Sequence, residues 1–383
     1  MVVSDGNLAG SKLAALVPKS LGWRLVVAGF AHSFFDPLGA GRASNAALIG
    51  KPFTDEPFEG WTVHDFVNYI QIKGLQPGDA TATSRLLAAM ERAGLLIAAG
   101  WDTALPLLGQ RYVSQGVLSA QKQGYMWLAE ALGPEFVIEA FKPVTVQITA
   151  EDSPHWGSGL ILDRSHIITN KHVTKGLAGK RLQIAVPVIG RVPDPITTPQ
   201  NLEVLEHAEL DVAVIQIKPL EEGPLQTLDG MVFRDPSWAD EVYLLGYPRV
   251  AWMVDTGMTL QRGEVVLPLG EVPRIREADS EPWDTPGRTK MFLFSAIARP
   301  GNSGGPIVAH DGRVIGIVFQ ESSHVSSTGP GTDASESDDT NSELSAAAPF
   351  YRGIPASELM RALDDFGLRH IATFEDPLNL CGQ

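Results

Sequence analysis

From Val144 to Phe319 the chain never sustains a helical repeat. Its apolar residues come instead in short β-prone runs separated by turn-forming residues: Val144–Ala150, Gly159–Leu162, His166–Thr169, Arg181–Val188, Leu202–Glu206, Val212–Ile217, Glu241–Tyr247, Gly263–Leu269, Lys290–Ala296, Pro306–Val308 and Val314–Phe319. So many short strands at close spacing predict a sandwich or barrel for this half of the chain.

The first 140 residues read differently. Thr62-Val63-His64-Asp65 spells a capping box. Val63, Phe66, Val67 and Ile70 follow at helical spacing, and Gly74 stands where a C-cap is expected. A second helix is predicted over Ala80–Ala93, with Leu86, Leu87 and Met90 on one face, and a third over Gln123–Leu132, closed by Gly133-Pro134. Trp23, Trp61, Trp101 and Trp127 read as core anchors. Pro143 is the expected boundary. The fold class expected is therefore multidomain: a mostly α-helical domain over 1–140 and an all-β domain over 143–370, then a C-terminal tail, 371–383. Pro355–Phe366 reads as a final helix, with proline at its start and Gly367 after it. Residues 321–348 break the pattern with six acidic side chains and no Lys or Arg, and read as a low-complexity surface loop.

Charge and cysteine content exclude several functions. Residues 1–142 hold 12 acidic and 11 basic side chains, and residues 143–383 hold 33 and 19. A surface so negative repels phosphates, so no nucleic-acid partner is expected for the second domain. Thr62–Ala93 could form the helix pair of a winged helix, but Arg85 and Arg92 stand almost alone on it, so a protein-interaction or regulatory module is the better expectation. One cysteine, Cys381, allows no intrachain disulfide. No apolar run reaches the length of a membrane span, and the first residues lack the layout of a signal peptide, so a cytoplasmic protein with no membrane partner is expected. There is no HExxH, P-loop or dinucleotide fingerprint, so neither metal nor other cofactor is expected.

Three segments of the β-rich half carry chemistry: Gly157-Ser158-Gly159 leading to Thr169-Asn170-Lys171-His172-Val173, Leu210-Asp211-Val212-Ala213-Val214-Ile215, and Arg299-Pro300-Gly301-Asn302-Ser303-Gly304-Gly305-Pro306. A serine hydroxyl is a poor nucleophile at neutral pH. It needs an imidazole as base, a carboxylate to orient that imidazole, and N–H donors aimed at the developing oxyanion. Glycines around Ser303 would let the backbone turn and present the Gly301 and Ser303 amides. His172 follows an apolar strand, and Asp211 opens another. Asp163 and Asp194 are the other carboxylates that stand near. Gly301-x-Ser303-x-Gly305 also matches the nucleophile elbow of α/β-hydrolases, but Pro306 and a β run follow the serine where that fold requires a helix.

These segments resemble those of the chymotrypsin-like, trypsin-fold serine proteases, in the same order His…Asp…Ser, and Ser295–Val308 is most similar to the HtrA-like branch. The resemblance spans about Val144 to Leu368. It implies a double β-barrel in which His172 is the general base, Asp211 its orienter and Ser303 the nucleophile, with Gly301 and Ser303 forming the oxyanion hole. A protein or peptide substrate follows from it. It also implies that Ile297 floors the specificity pocket and that Val318, Phe319 and Gln320 wall it, which favours an apolar side chain before the scissile bond. Asn302 stands where the secreted trypsin branch has an aspartate, so activation by a new N-terminus is not expected. Too few residues follow the final helix for the PDZ domain usual in the HtrA-like branch. The function expected is a bacterial serine endopeptidase, regulated or recruited by its N-terminal domain; the alternative is a catalytically silent or latent trypsin-fold scaffold acting in protein binding.

Overall fold

The switch in period near Pro143 is a switch in architecture. The computed structural model describes residues 16–53, 60–76, 80–151, 153, 155–177, 181–185, 195–196, 202–218, 225–250, 257–273, 288–319 and 350–376. The acidic segment 321–348, Gln320 and Asp194 lie outside them. Two units divide the chain, 1–136 and 137–383.

In the first unit, helices α1 (Leu21–Phe34) and α2 (Arg42–Leu48) precede strand β1 (Trp61–Thr62), α3 (Val63–Ile72), α4 (Ala80–Arg92), β2 (Leu96–Trp101) and β3 (Gln110–Ser114). The strands pair antiparallel in the order β1–β3–β2. Two helices, a strand, two helices and a two-stranded hairpin, or wing, make the first unit helical with a small three-stranded sheet. The predicted capping box forms. Thr62 Oγ1 accepts from the Asp65 N–H at 3.1 Å, and the Asp65 carboxylate accepts from the Thr62 N–H at 2.9 Å and from Lys51 Nζ at 2.6 Å. Trp23, Phe34, Phe66, Ile70, Leu87 and Met90 are fully buried and tie α1, α3 and α4 together. Each such side chain contributes on the order of 2 kcal/mol on leaving water.

Two readings of this unit need correction. The third helix is not one element: two 3₁₀ turns, Ala120–Gln123 and Met126–Leu128, lead into the short α5 (Ala129–Leu132). Gly133, at φ +78°, ends α5, and Pro134 then opens α6 (Pro134–Phe141). Proline has no N–H to lose in the first helical turn, so it starts a helix here as readily as it stops one. Trp101 is not a core anchor; it is 50% exposed on the hairpin β2–β3, whereas Trp23 is buried.

The second unit holds two sheets. One runs β8 (Pro195–Ile196), β7 (Leu182–Ala185), β4 (Thr145–Ala150), β5 (Gly157–Ile161), β6 (His166–Thr169), β10 (Ala213–Ile217), β9 (Leu202–Glu206). The short helix α7 (Lys171–Gly176) follows β6 directly. In the other sheet β12 (Glu241–Gly246), β13 (Thr259–Pro273), β14 (Arg288–Phe294), β17 (Tyr351–Pro355), β16 (Val314–Phe319) and β15 (Pro306–Ala309) close into a six-stranded barrel through the β15–β16 and β12–β15 pairings. Val242, Leu244, Val265, Phe292, Phe294, Ile307, Ile315 and Val318 fill it. The first sheet is an open half-barrel among the described residues. Helix α8 (Ala356–Asp365) follows β17.

The segment expected to be tail begins as structure. β18 (Thr373–Phe374) pairs in parallel with β11 (Val232–Phe233), and Arg313 Nη2 holds Glu375 at 2.8 Å. Arg313 also bonds Asp311, which bonds Arg234 at 2.8 Å, and Arg234 grips Asp240 through both Nη atoms. Burial alone would push the Asp311 carboxyl up, but the Arg234 and Arg313 charges and hydrogen bonds outweigh it and hold it below the usual range.

Candidate active site

The strand–helix junction β6–α7 presents His172. Asn170 is the N-cap of α7 in an extended conformation, so His172 sits in the helix's first turn. Two bonds hold it to Asp211: its backbone N–H donates to Oδ1 at 2.8 Å, and ring Nδ1 meets Oδ2 at 2.6 Å. A carboxylate at that nitrogen fixes the tautomer with hydrogen on Nδ1 and leaves Nε2 to accept a proton. The His172 side chain is 34% exposed and that of Asp211 21%.

The loop that brings Asp211 there is tied down at several points. Asn170 Nδ2 donates to the Asp211 carbonyl at 3.0 Å, and Lys171 Nζ to the His207 carbonyl at 2.9 Å. Buried His207 accepts from the Glu209 and Leu210 amides on Nδ1, so its Nε2 carries the hydrogen that Asp365 of α8 accepts at 2.8 Å. The competing carboxylate Asp163 is committed elsewhere, bonding His166 Nδ1 at 2.8 Å. Burial pushes Asp163 up, and its bonds to His166 and the Ser165 amide outweigh that and hold it low.

Ser303 lies in a loop that packs into the opposing strands. Gly301 has φ +99°, and a Cβ there would sit 2.4 Å from the Tyr247 carbonyl; Gly304 has φ +80°, and its Cβ would sit 2.2 Å from Thr169 Oγ1. Only glycine meets both conditions at either position. The loop thereby lies against Ser158 and against Thr169 and Asn170, the residues that lead into His172. Ser303 itself is 6% exposed, and its carbonyl accepts from the Ser158 N–H at 2.8 Å. Gly157 is wedged between the Val173 side chain, 2.6 Å from its would-be Cβ, and the Ser303 carbonyl at 3.2 Å. The Asn302 side chain is fully buried, and neither polar atom has a hydrogen-bond partner among the described residues.

Of the specificity residues named from sequence, Ile297, Val318 and Phe319 are described and Gln320 is not. Phe319 faces the His172 ring edge-on, 6.1 Å between centroids, and the Arg352 guanidinium lies over the Phe319 ring, 5.1 Å from its centre. Ile297 is 47% exposed. The Val318 side chain belongs to the barrel core, and its backbone N–H and C=O are taken by Gly305 and Gly304. Missing from the sequence reading are Trp156, whose Nε1 donates to the Tyr247 carbonyl at 2.8 Å beneath Arg249, and the bonds made by Ser158 and Thr169. Burial holds the Tyr247 phenol well above its ordinary range. No three His, Cys, Asp or Glu side chains converge as metal ligands among the described residues, and no described helix is long and apolar enough to cross a membrane.

Residues 157–317 match the family model of the trypsin-like peptidase domain. An uncharacterised protein of Sinorhizobium fredii, y4bJ, is 26% identical over 163 residues, 42% of this chain; the match spans about a fifth of that protein's length, 21%. The active form of the Rv3671c protease from M. tuberculosis is similar at 20% identity and TM-score 0.41, covering 60% of this chain and 84% of that one. The serine endoprotease from Yersinia pestis is similar at 17% identity and TM-score 0.38, covering 67% and 68%.

Proposed function

We propose that the trypsin-like peptidase domain carried by residues 157–317 is a working serine endopeptidase of HtrA-like type. The observation that carries this reading is the two-point clasp of Asp211 on His172. A carboxylate on Nδ1 holds the tautomer that leaves Nε2 to take a proton, as a serine-protease base must, and this pair lies within the residues that match the peptidase family model.

In this reading Ser303 attacks the scissile carbonyl while His172 Nε2 takes its proton. The Asp211 carboxylate stabilises the imidazolium that forms, and the Gly301 and Ser303 amides receive the oxyanion. His172 then protonates the leaving amine, and water, deprotonated in turn by His172, releases the acid and regenerates Ser303. No cofactor enters any step. Phe319 and Ile297 offer apolar surface to the residue before the cut.

The first unit serves recruitment or regulation by binding protein. Its hairpin exposes Ile97, Trp101 and Leu107 at 48%, 50% and 86%, and its charged pair, Arg111 and Asp102, is self-neutralised at 3.1 Å. A wing without free cations suits an apolar protein surface and not a phosphate backbone. A reducing, cytoplasmic setting fits the single cysteine.

Labelling with a fluorophosphonate tests the proposal. Wild type is expected to label at one serine and Ser303→Ala not at all. Folded wild type that stays unlabelled would leave a protein-binding scaffold as the reading. Deleting residues 1–136 with no change in partner capture or cleavage would refute the role given to the first unit.

A further inference from the structure

We infer that the Ser158 hydroxyl is a positioning group for the oxyanion hole, locking the loop that carries Gly301 and Ser303 in its receptive form. This rests on the serine-protease reading above and adds a residue to it.

The loop's peptide planes show why. In a trans peptide the N–H points opposite to the C=O. The Pro300 carbonyl accepts from the Arg249 N–H at 2.8 Å, and the Asn302 carbonyl from the Gly305 N–H at 2.9 Å. With the two carbonyls held this way, the N–H groups of the same planes point away from those donors, that of Gly301 away from Arg249 and that of Ser303 away from Gly305. These are the two donors the mechanism requires. The Gly301 N–H has no protein acceptor among the described residues.

Between these two planes lies a third, Gly301–Asn302, and its orientation decides whether the other two stay aligned. Its N–H donates to the Arg299 carbonyl at 2.9 Å. Its C=O accepts from Ser158 Oγ at 2.7 Å. Gly301 is the natural hinge here, because glycine can leave φ +99° at little steric cost. The bond from Ser158 removes that freedom.

Ser158 suits the task because every polar group it has is used. Its hydroxyl also accepts from the Tyr247 N–H at 2.9 Å, so the hydroxyl hydrogen must point at Gly301. Its own N–H donates to the Ser303 carbonyl at 2.8 Å, and its carbonyl accepts from Thr169 Oγ1 at 2.7 Å. It is fully buried. The bonds to the loop named here are otherwise backbone to backbone, so Ser158 Oγ is the point at which a side-chain change reaches the hole without touching Ser303, His172 or Asp211.

The test is the rate of fluorophosphonate labelling at Ser303, whose phosphoryl oxygen must enter the same hole, read together with the fraction of protein labelled. Removing one oxyanion donor outright costs about 10²–10³-fold; loosening a donor costs less. Ser158→Ala is expected to label about 10–100-fold more slowly than wild type, with the labelled fraction unchanged and, on a cleaved peptide, kcat lowered at constant KM. A merely structural role would lower the labelled fraction and the melting temperature while the folded molecules kept the wild-type rate constant, and that result would overturn the inference. The rescue variant is Ser158→Cys, a weaker donor of similar size, expected between the two. Should Ser158→Ala not accumulate as folded protein, Ser158→Cys decides by the same rate constant: slower supports, equal refutes. A wild type that never labels would sink the protease reading and this inference together, whereas a labelling wild type matched by Ser158→Ala sinks this inference alone.

Discussion

Replacing Asp211 by asparagine keeps the shape of the clasp and inverts part of its chemistry. The carboxylate now accepts twice, from the His172 backbone N–H at 2.8 Å and from ring Nδ1 at 2.6 Å. An amide offers one acceptor and one donor. If its oxygen stays on the backbone N–H, its NH₂ faces Nδ1, the ring hydrogen moves to Nε2, and His172 cannot accept the Ser303 proton. If the amide flips, two donors confront each other at the backbone, which leaves a partly buried N–H unpaired at about 1–3 kcal/mol. The competent tautomer is disfavoured by about that much. The imidazolium also loses its counter-charge. Two unit charges about 4 Å apart interact by about 4 kcal/mol at an effective dielectric of 20, and partial exposure of both side chains cuts this to roughly half. The sum, about 3–5 kcal/mol, is roughly a 10²- to 10⁴-fold loss in kcat/KM at about 1.4 kcal/mol per decade. Initial rates on a fluorogenic peptide, with circular dichroism to verify the fold, would measure it. A loss of less than tenfold in a folded Asp211→Asn protein would mean that His172 does not work through Nε2 as general base.

Other positions give independent tests. Gly304→Ala puts a Cβ 2.2 Å from Thr169 Oγ1 and 2.4 Å from the Ser158 carbonyl at φ +80°; the left-handed backbone alone costs about 1–2 kcal/mol, so with the clash a loss above 2 kcal/mol is expected in urea unfolding, and a loss under 0.5 would contradict the packing of this loop. Asp311 is held below the usual carboxylate range, so its contribution is complete above the unfolded carboxylate pKa, near pH 4, and is lost as pH falls through the lower folded value. Asp311→Asn should therefore be less stable than wild type at pH 7 and converge toward it as the pH is lowered to about 2, and a difference that does not narrow would refute the ion-pair account. Leu107→Ser should change stability by no more than about 0.5 kcal/mol, since the side chain is 86% exposed, while weakening capture of any partner of the first unit; a large fall in melting temperature would show that the hairpin is packed.

What could be read before the fold and what could not divides along the chain distance of the forces involved. Val314–Phe319 and His166–Thr169 are short β-prone runs buried at every position, so their own composition marks them and those strands were legible within a residue or so. The hairpin β2–β3 was not: Leu96–Trp101 is apolar on both sides, shows no alternation, and is exposed beyond Leu96. Closure of the barrel was likewise implied only by resemblance, because β17, which pairs with both β14 and β16, returns only after the acidic segment. The same division runs through the site. Ser303 imposes its needs on its immediate neighbours, because the loop must turn at Gly301 and approach foreign backbone at Gly304, so the motif is written around it in glycines. Ser158 was in view, between two glycines, but the bond that matters reaches Gly301, 143 positions away, and nothing beside Ser158 in the chain marks it. A residue that acts by holding a distant backbone leaves its requirement on the far partner. It was the glycine at position 301, free to move and therefore in need of a lock, that carried the trace.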